Sequence, residues 1–289
     1  MTLQYPLLIP AAGIGSRLFP TSWAVPKELF PVGPLPALHY LLQEAQATCI
    51  RDVICITSPR KEALMSYLSY DEDNPEVPLT PDEAARLAPL GKLNKYFNYN
   101  FQVQSIAHGV GNAMLQGLEQ IQSEYFFMAY PDDLLANIEA GLPALLQAHV
   151  AYGGLVIAIE RIPRAQAHLY GVVKIKKSFS ENVFAIEHIV EKPNTGCAPS
   201  EYGIVGRYIL SREVLLHLKD QKTEKPCFIS ALNDLIARGQ RVLAVVLQST
   251  RYDIGTTAGW IKAVSELGRG ACNLVSAAPT NIKKHAELS

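Results

Sequence analysis

Apolar residues gather along this chain in short runs separated by polar, glycine- or proline-containing breaks. Tyr5 to Ala11 is an apolar run that ends in glycine, consistent with a buried strand, and Asp52 to Thr57 is a second, β-branched run. Phe101 to Ala107 and Tyr125 to Tyr130 read as further strands, the last stopping at Pro131-Asp132-Asp133. Ala37 to Ala47 has helical periodicity, and Lys61 to Ser69, Gly111 to Gln122 and Ile138 to Val150 are read as helices. Residues 70 to 98 are polar, with four acidic residues and three prolines between Asp71 and Pro81, and read as a variable insertion. Strand and helix thus alternate through the first half, the pattern of a mostly parallel sheet covered on both faces.

The second half changes character. Gly154 to Ile159, Gly171 to Ile175, Val183 to Val190 and Tyr202 to Leu210 are strand candidates with little helix between them, which predicts an antiparallel or mixed extension of the sheet. A helix at Ile229 to Arg238, a strand at Val242 to Leu247 and a helix at Thr257 to Leu267 follow. No repeat or linker interrupts the order. The expectation is a single α/β domain over residues 1 to 268, with residues 269 to 289 as a loose tail or an oligomer contact. Ligands of open α/β sheets bind outside the carboxyl ends of the strands. The loops at 10 to 34, 107 to 112 and 131 to 134 all follow strands, so they are expected to converge on one cleft.

Composition removes several function classes. The chain has 289 residues, 48% hydrophobic and 18% charged, enough for a substantial core. A net charge of -1 gives no basic field to attract nucleic acid or an anionic membrane. No apolar run reaches the roughly 18 to 20 residues of a spanning helix. The N-terminus lacks a basic leader and a small-residue cleavage site, so a cytoplasmic protein is expected. Cys49, Cys55, Cys197, Cys227 and Cys272 show neither C-x-x-C spacing nor a histidine at ligand spacing, and read as reduced thiols. No G-x-S-x-G elbow supports hydrolase chemistry.

The most specific segment is IPAAGIGSRLFP, residues 9 to 20. A dinucleotide loop would need a third glycine where Leu18 stands, and a P-loop would end in Gly-Lys-Ser or Gly-Lys-Thr. Gly13 and Gly15 permit positive φ and leave N–H groups open to phosphate oxygens. Arg17 adds a planar donor fork and Lys27 a point charge, both suited to phosphate. Pro20, Pro26 and Pro31 stiffen the segment. A plain tight turn is the competing reading for G-x-G alone, but not with Arg17 and Pro26-Lys27-Glu28 added.

The segment PAAGIGSRLFPTSWAVPKELFPVG resembles the signature of the sugar-1-phosphate nucleotidylyltransferases, and most closely their bacterial uridylyltransferase branch. QSIAHGVGNAM, YPDDLL, YGVVKI, EKP, APSEYGIVGRYILS and YDIGTTAGWIKA have counterparts there in the same order, over about residues 5 to 268. The resemblance implies a Rossmann-like, mostly parallel sheet with a nucleotide half (about 1 to 135) and a strand-rich sugar half (about 136 to 268). It implies that Ala11, Ala12, Gly13, Gly15, Gln104 and Gly109 bind the nucleotide, with Gln104 on the uracil. Arg17 and Lys27 would meet the UTP phosphates, and Asp132 and Asp253 would hold Mg2+. Gly171, Glu191 and Lys192 would take the sugar phosphate. UTP and glucose 1-phosphate would be substrates, UDP-glucose the product, and the enzyme a homo-oligomer.

Each assignment has an ordinary competitor. Gln104 could lie on a solvated strand face, Asp132-Asp133 could cap a helix, Asp253 could serve a turn, Glu191-Lys192 could be a surface pair and Tyr170-Gly171 a strand entry. Trp23 stands where the branch usually has lysine, His108 where a lysine often precedes the glycine, and Gly33-Pro34-Leu35-Pro36 where Asp-Lys-Pro is usual. The acidic insertion at 71 to 83 is not the family's usual segment. A family enzyme using dTTP or another sugar phosphate, and a catalytically weak nucleotide-sugar-binding paralogue, remain alternatives at this point.

Overall fold

The computed structural model describes residues 4–194 and 196–275. The chain enters the sheet at β1 (Leu7–Pro10) and passes through α1 (Thr21–Ala24), a hairpin of β2 (Pro31–Val32) and β3 (Leu35–Pro36), and α2 (Ala37–Ala47). It continues through β4 (Asp52–Thr57), α3 (Glu62–Leu68), α4 (Pro81–Tyr96), β5 (Asn98–Val103), α5 (Gly109–Gln116), β6 (Tyr125–Ala129) and β7 (Asp133–Leu135). Then come α6 (Leu142–Tyr152), β8 (Leu155–Arg161), β9 (Gly171–Ser178), β10 (Val183–Glu191), β11 (Tyr202–Ser211), α7 (Arg212–Asp220) and α8 (Phe228–Ala237). β12 (Val242–Val246), β13 (Arg251–Asp253) and α9 (Thr257–Val275) follow.

The main sheet has the order β5-β4-β1-β6-β11-β8-β12-β10-β9. β5, β4, β1 and β6 are parallel neighbours. β11 lies antiparallel between β6 and β8, β12 is parallel to β8, and β10 is antiparallel to both β12 and β9. Only β11 and β10 therefore run against the rest, which gives the mixed α/β sheet that the strand-rich second half predicts.

Period-two alternation sorts the core into two layers. Leu7, Ile9, Val53, Cys55, Phe127 and Ala129 face one layer, where Leu38 and Leu41 of α2, Leu64 of α3, Leu93 of α4 and Leu142 of α6 cover them. Leu8, Ile54, Ile56, Phe126 and Met128 face the other, under Met114 of α5, Leu215 of α7 and Leu232 of α8. Each of the leucines, isoleucines, valines, phenylalanines and methionines among them contributes about 1.5–3 kcal/mol by burial. A third cluster of Val32, Tyr40, Leu134, Tyr252, Ile254 and Ala263 joins the β2–β3 hairpin, β7, β13 and α9.

Five elements differ from expectation. The insertion at 70 to 98 contains the 16-residue α4. Its sequence has no clear apolar stripe and carries Pro89 and Gly91. Its start is nevertheless marked by a capping box: Glu83 N–H donates to Thr80 Oγ1 (3.4 Å) and Thr80 N–H to Glu83 Oε2 (2.8 Å). Lys95 of α4 pairs with Glu72 and Asp73 and so folds the acidic segment onto the helix. Helix α7 fills the interval after β11, burying Val214, Leu215 and Leu218 at helical spacing. β5 starts at Asn98 and ends at Val103 rather than spanning 101 to 107, and α5 stops at Gln116, before Gly117. Helix α9 continues through Val275, past the position where the tail was expected to begin. Residues 276 to 289 of that tail lie outside the described residues.

Candidate active site

The loop leaves β1 against the end of β4, where Ala11 N–H donates to Ile56 O (2.7 Å). Ala11 and Ala12 are buried and Gly13 is exposed, with nothing within 4 Å of where a Cβ would stand. Gly15 turns the chain with φ 67°, the left-handed region that favours glycine. Ser22 Oγ donates to its carbonyl (2.7 Å) and holds the turn closed. Arg17 projects from the next turn, its side chain 65% exposed. Lys27 starts the turn after Pro26 and points inward, its Nζ in contact with Asp132 Oδ2. Burial would lower the Lys27 pKa, but Asp132 and then Glu28 outweigh it and the net shift is upward.

The acids come from the other side of the cleft. Asp132 follows β6, and the β7–β13 ribbon sets Asp133 opposite Asp253. Ile254 N–H donates to Asp132 O (2.9 Å), which draws Asp253 and Asp132 together. A Cβ on Gly255 would lie 2.9 Å from each of Arg17 Nη2, Asp132 Oδ2 and Asp253 Oδ1. Arg17 Nη1 is 4.0 Å from Asp253 Oδ2. Burial raises the Asp253 pKa, and Asp133 and Asp132 push it the same way. Burial would raise Asp132 too, but Lys27 overrides it and holds that carboxyl below the usual range. Each carboxylate has a cation beside it, Lys27 at Asp132 and Arg17 at Asp253.

These donors fit Mg2+. No group of three or more His, Cys, Asp or Glu among the described residues is arranged to hold a metal. Two carboxylates with the remaining positions left to substrate oxygens is the usual Mg2+ arrangement, and hard oxygen donors do not favour zinc. Asp132 and Asp253 are the residues that would hold it.

Gln104 is buried at the end of β5, its N–H donating to Thr57 O (2.8 Å). Its Nε2 donates to Asn112 Oδ1 (2.8 Å) and Gly109 O (3.3 Å), so it faces the start of α5 and not a solvated strand surface. Gln104 and Gly109 thus meet directly. The Ala11 to Gly15 loop lies on the far side of β4 from them in the strand order.

Of the sugar-side residues, Gly171 and Glu191 line an open cavity of about 310 Å3 together with Tyr130, Tyr170 and Tyr208, whereas the Lys192 side chain is not part of its lining and is largely exposed. Gly171 pairs with Glu191 in the β9–β10 ladder, and a Cβ on Gly171 would meet Glu191 Oε2 at 3.1 Å. Lys192 adopts φ 46°, uncommon for a side-chain-bearing residue, and its N–H donates to Tyr170 O (3.0 Å). Its Nζ is 3.9 Å from Glu191 Oε1. Tyr130 lines the cavity two residues before Asp132, which makes the cavity and the acids neighbours.

Several supporting residues carry no role in the sequence reading, although one of them, Arg207, lies within APSEYGIVGRYILS. Buried Lys61 donates to Ala11 O (2.5 Å) and to both Glu28 carboxylate oxygens (2.8 Å). Burial lowers its pKa against the opposing pull of Glu28. Buried Arg207 donates to both oxygens of Glu44, to Tyr130 O (3.0 Å) and to Asp133 O (2.7 Å), clamping the turn that carries Asp132. Arg251 binds Asp133, Glu160 and the Tyr170 hydroxyl. Only the apolar environment around a charge would signal such residues in a sequence. At the departures, Trp23 is exposed with the Arg60 guanidinium 3.6 Å above its ring, and Gly33 and Pro34 turn the chain from β2 into β3, with Gly33 against the backbone of Gly268.

Known proteins resemble this chain in sequence and in fold. A UTP–glucose-1-phosphate uridylyltransferase of Bacillus subtilis (strain 168) is 29% identical over 268 residues, covering 90% of this chain and 89% of the relative. A Staphylococcus saprophyticus protein named UTP–glucose-1-phosphate uridylyltransferase 2 is 29% identical, covering 90% of each. A crystal structure of UDP-glucose pyrophosphorylase complexed with UDP-glucose superposes with a TM-score of 0.81 at 26% identity, covering 93% of this chain and all of the other. An apo UDP-glucose pyrophosphorylase structure gives 0.84 at 27% identity with the same coverage. The nucleotidyl transferase family model matches residues 7–269, and the chain belongs to that family.

Proposed function

We propose that this chain is an enzyme that transfers UMP from UTP to glucose 1-phosphate, giving UDP-glucose and pyrophosphate. The relatives named for this reaction support it. The observation that carries it is the meeting of Arg17, Asp132 and Asp253 around Gly255, with Lys27 on Asp132 and the Glu191 cavity alongside. A sugar-phosphate oxygen attacks the α-phosphorus in line, and the bond from that phosphorus to the leaving pyrophosphate breaks. The nucleophile is already ionised at neutral pH, so no general base is needed and catalysis reduces to positioning and charge neutralisation. Lys192 orients the sugar phosphate, Glu191 takes sugar hydroxyls over Gly171, and Gln104 with Gly109 and the Ala11 to Gly15 backbone receives the nucleotide. Arg17 and Lys27 offset charge on the triphosphate. Mg2+ on Asp132 and Asp253 supplies further neutralisation when bound.

In this reading residues 1 to about 135 form the nucleotide half and about 136 to 268 the sugar half. The resemblance further suggests a cytoplasmic homo-oligomer. No helix among the described residues is long and apolar enough to cross a membrane. Light scattering on the purified chain reads the assembly state directly.

The experiment is a panel of nucleoside triphosphates against sugar 1-phosphates, read as pyrophosphate release with and without Mg2+. UTP with glucose 1-phosphate is expected to lead, and only with the metal. A lead by dTTP would reassign the substrate, and tight UDP-glucose binding with no turnover by any pair would replace the enzyme with a binding protein. Arg17→Ala and Asp132→Ala are expected mainly to reduce turnover. Undiminished release by either would remove the role given to that residue.

A further inference from the structure

The site's cations and acids are matched in pairs. Lys27 Nζ contacts Asp132 Oδ2, and Arg17 lies beside Asp253. Asp132 Oδ2 is also the oxygen turned toward its fellow acid: it and Asp253 Oδ1 stand at the same 2.9 Å from the Cβ position of Gly255. The Lys27 ammonium therefore occupies the oxygen that the two-carboxylate reading offers to a divalent cation. An ammonium and a divalent cation cannot both keep contact with one carboxylate oxygen in a partly buried site, because their repulsion is poorly screened there. Of the other acids that act on Lys27, Asp253 belongs to the same seat. The neighbouring Glu28 carboxylate is fully buried and committed to Lys61 through both oxygens.

We infer that Lys27 is the resident counter-cation of the metal seat, and yields Asp132 to a divalent metal only when a nucleoside triphosphate offers the ammonium another anion. This rests on the roles proposed above for Asp132 and Asp253. Its consequence is coupling: metal and nucleotide each strengthen the binding of the other by the same factor. It also has an unusual sign. Removing Lys27 strengthens metal binding by the nucleotide-free protein, whereas a residue that merely supports the site would weaken it when lost.

The test is a Mn2+ titration followed by the electron paramagnetic resonance of the free ion. It uses the intact chain, Lys27→Met, Lys27→Gln and Asp132→Asn, with and without α,β-methylene-UTP. Lys27→Gln keeps a polar head in the same space should Lys27→Met fold poorly, and thermal melts identify the folded variants. Without nucleotide, the folded Lys27 variants are expected to bind Mn2+ about tenfold or more tightly than the parent. The gain in Mn2+ affinity on adding nucleotide should shrink correspondingly. Unchanged or weaker Mn2+ binding by the Lys27 variants, with loss of binding in Asp132→Asn, overturns the counter-cation inference alone. Undiminished Mn2+ binding in Asp132→Asn overturns the metal seat on which it rests.

Discussion

Gly255 is the residue on which the site closes. Three side-chain tips lie 2.9 Å from the position its Cβ would take: Arg17 and Asp132 from distant segments and Asp253 from two residues before. Arg17 can swing outward, but Asp132 is held by Lys27 and Asp253 by the Gly255 N–H. Its φ is not among the positive values, so alanine fits the backbone and the conflict is confined to Arg17, Asp132 and Asp253. Displacing reacting or positioning groups by about 1 Å costs on the order of 100-fold in rate. Gly255→Ala is therefore expected to lower kcat by about that factor with little change in melting temperature. Steady-state kinetics beside a thermal melt checks this, and full turnover in the variant would contradict the geometry. The sequence pointed to Asp253 through its motif but not to Gly255, because a convergence of three segments leaves no trace in local spacing. The same holds for Lys61, whose partners Ala11 and Glu28 lie 50 and 33 residues away.

Among the elements, the turn between β6 and β7 depends on a pair that neither strand contains. Arg207 of β11 and Glu44 of α2 are both almost wholly buried, and Glu44 also accepts from Leu142 N–H (2.7 Å) at the start of α6. Removing one member leaves a buried charge uncompensated, which typically costs about 3–5 kcal/mol. Arg207→Met and Glu44→Leu should each lose about that much in urea unfolding, and the double variant less than their sum. The double variant should still turn over slowly, because the carbonyls of Tyr130 and Asp133 lose their donor; strict additivity of the two losses would contradict the pairing. Helix α2 carries a second buried group, His39, whose Nδ1 lies 2.8 Å from the Tyr67 hydroxyl. Burial lowers its pKa from 6.5 to about 4. Between those values the unfolded chain holds a proton that the folded chain does not, so stability falls as pH drops through this window. From pH 7 to pH 4.5 the parent should lose about 2 kcal/mol more than His39→Gln. Equal losses in urea titrations at the two pH values would place the titration elsewhere. Helix α2 itself was legible to the residue because its apolar stripe repeats cleanly. Helix α4 was not, since its polar face, Pro89 and Gly91 hide the period and only the Thr80 capping box announces it.

For the whole molecule, the alternation of strand and helix foretold the class of fold, and the position of the loops after strands foretold that the 10 to 34 loop would meet the 131 to 134 turn. The strand order was not foretold. β11 lies between β6 and β8 although β9 and β10 come between β8 and β11 in the chain, and that placement brings Arg207 beneath the Asp132 turn. Such long-range pairing is decided by how two core layers close and not by any local pattern. The result is one sheet whose parallel half carries the loop of Gly13, Gly15 and Arg17, and whose mixed half carries Gly171, Glu191 and Lys192. In the proposed reaction both halves serve one in-line transfer to a sugar phosphate. The direct measurement mixes the protein with UTP labelled at the α-phosphate, glucose 1-phosphate and Mg2+, then separates the products. The account predicts that the label moves into UDP-glucose with one pyrophosphate released per transfer. Label recovered as UMP, or left in UTP while the protein binds both substrates, would contradict it.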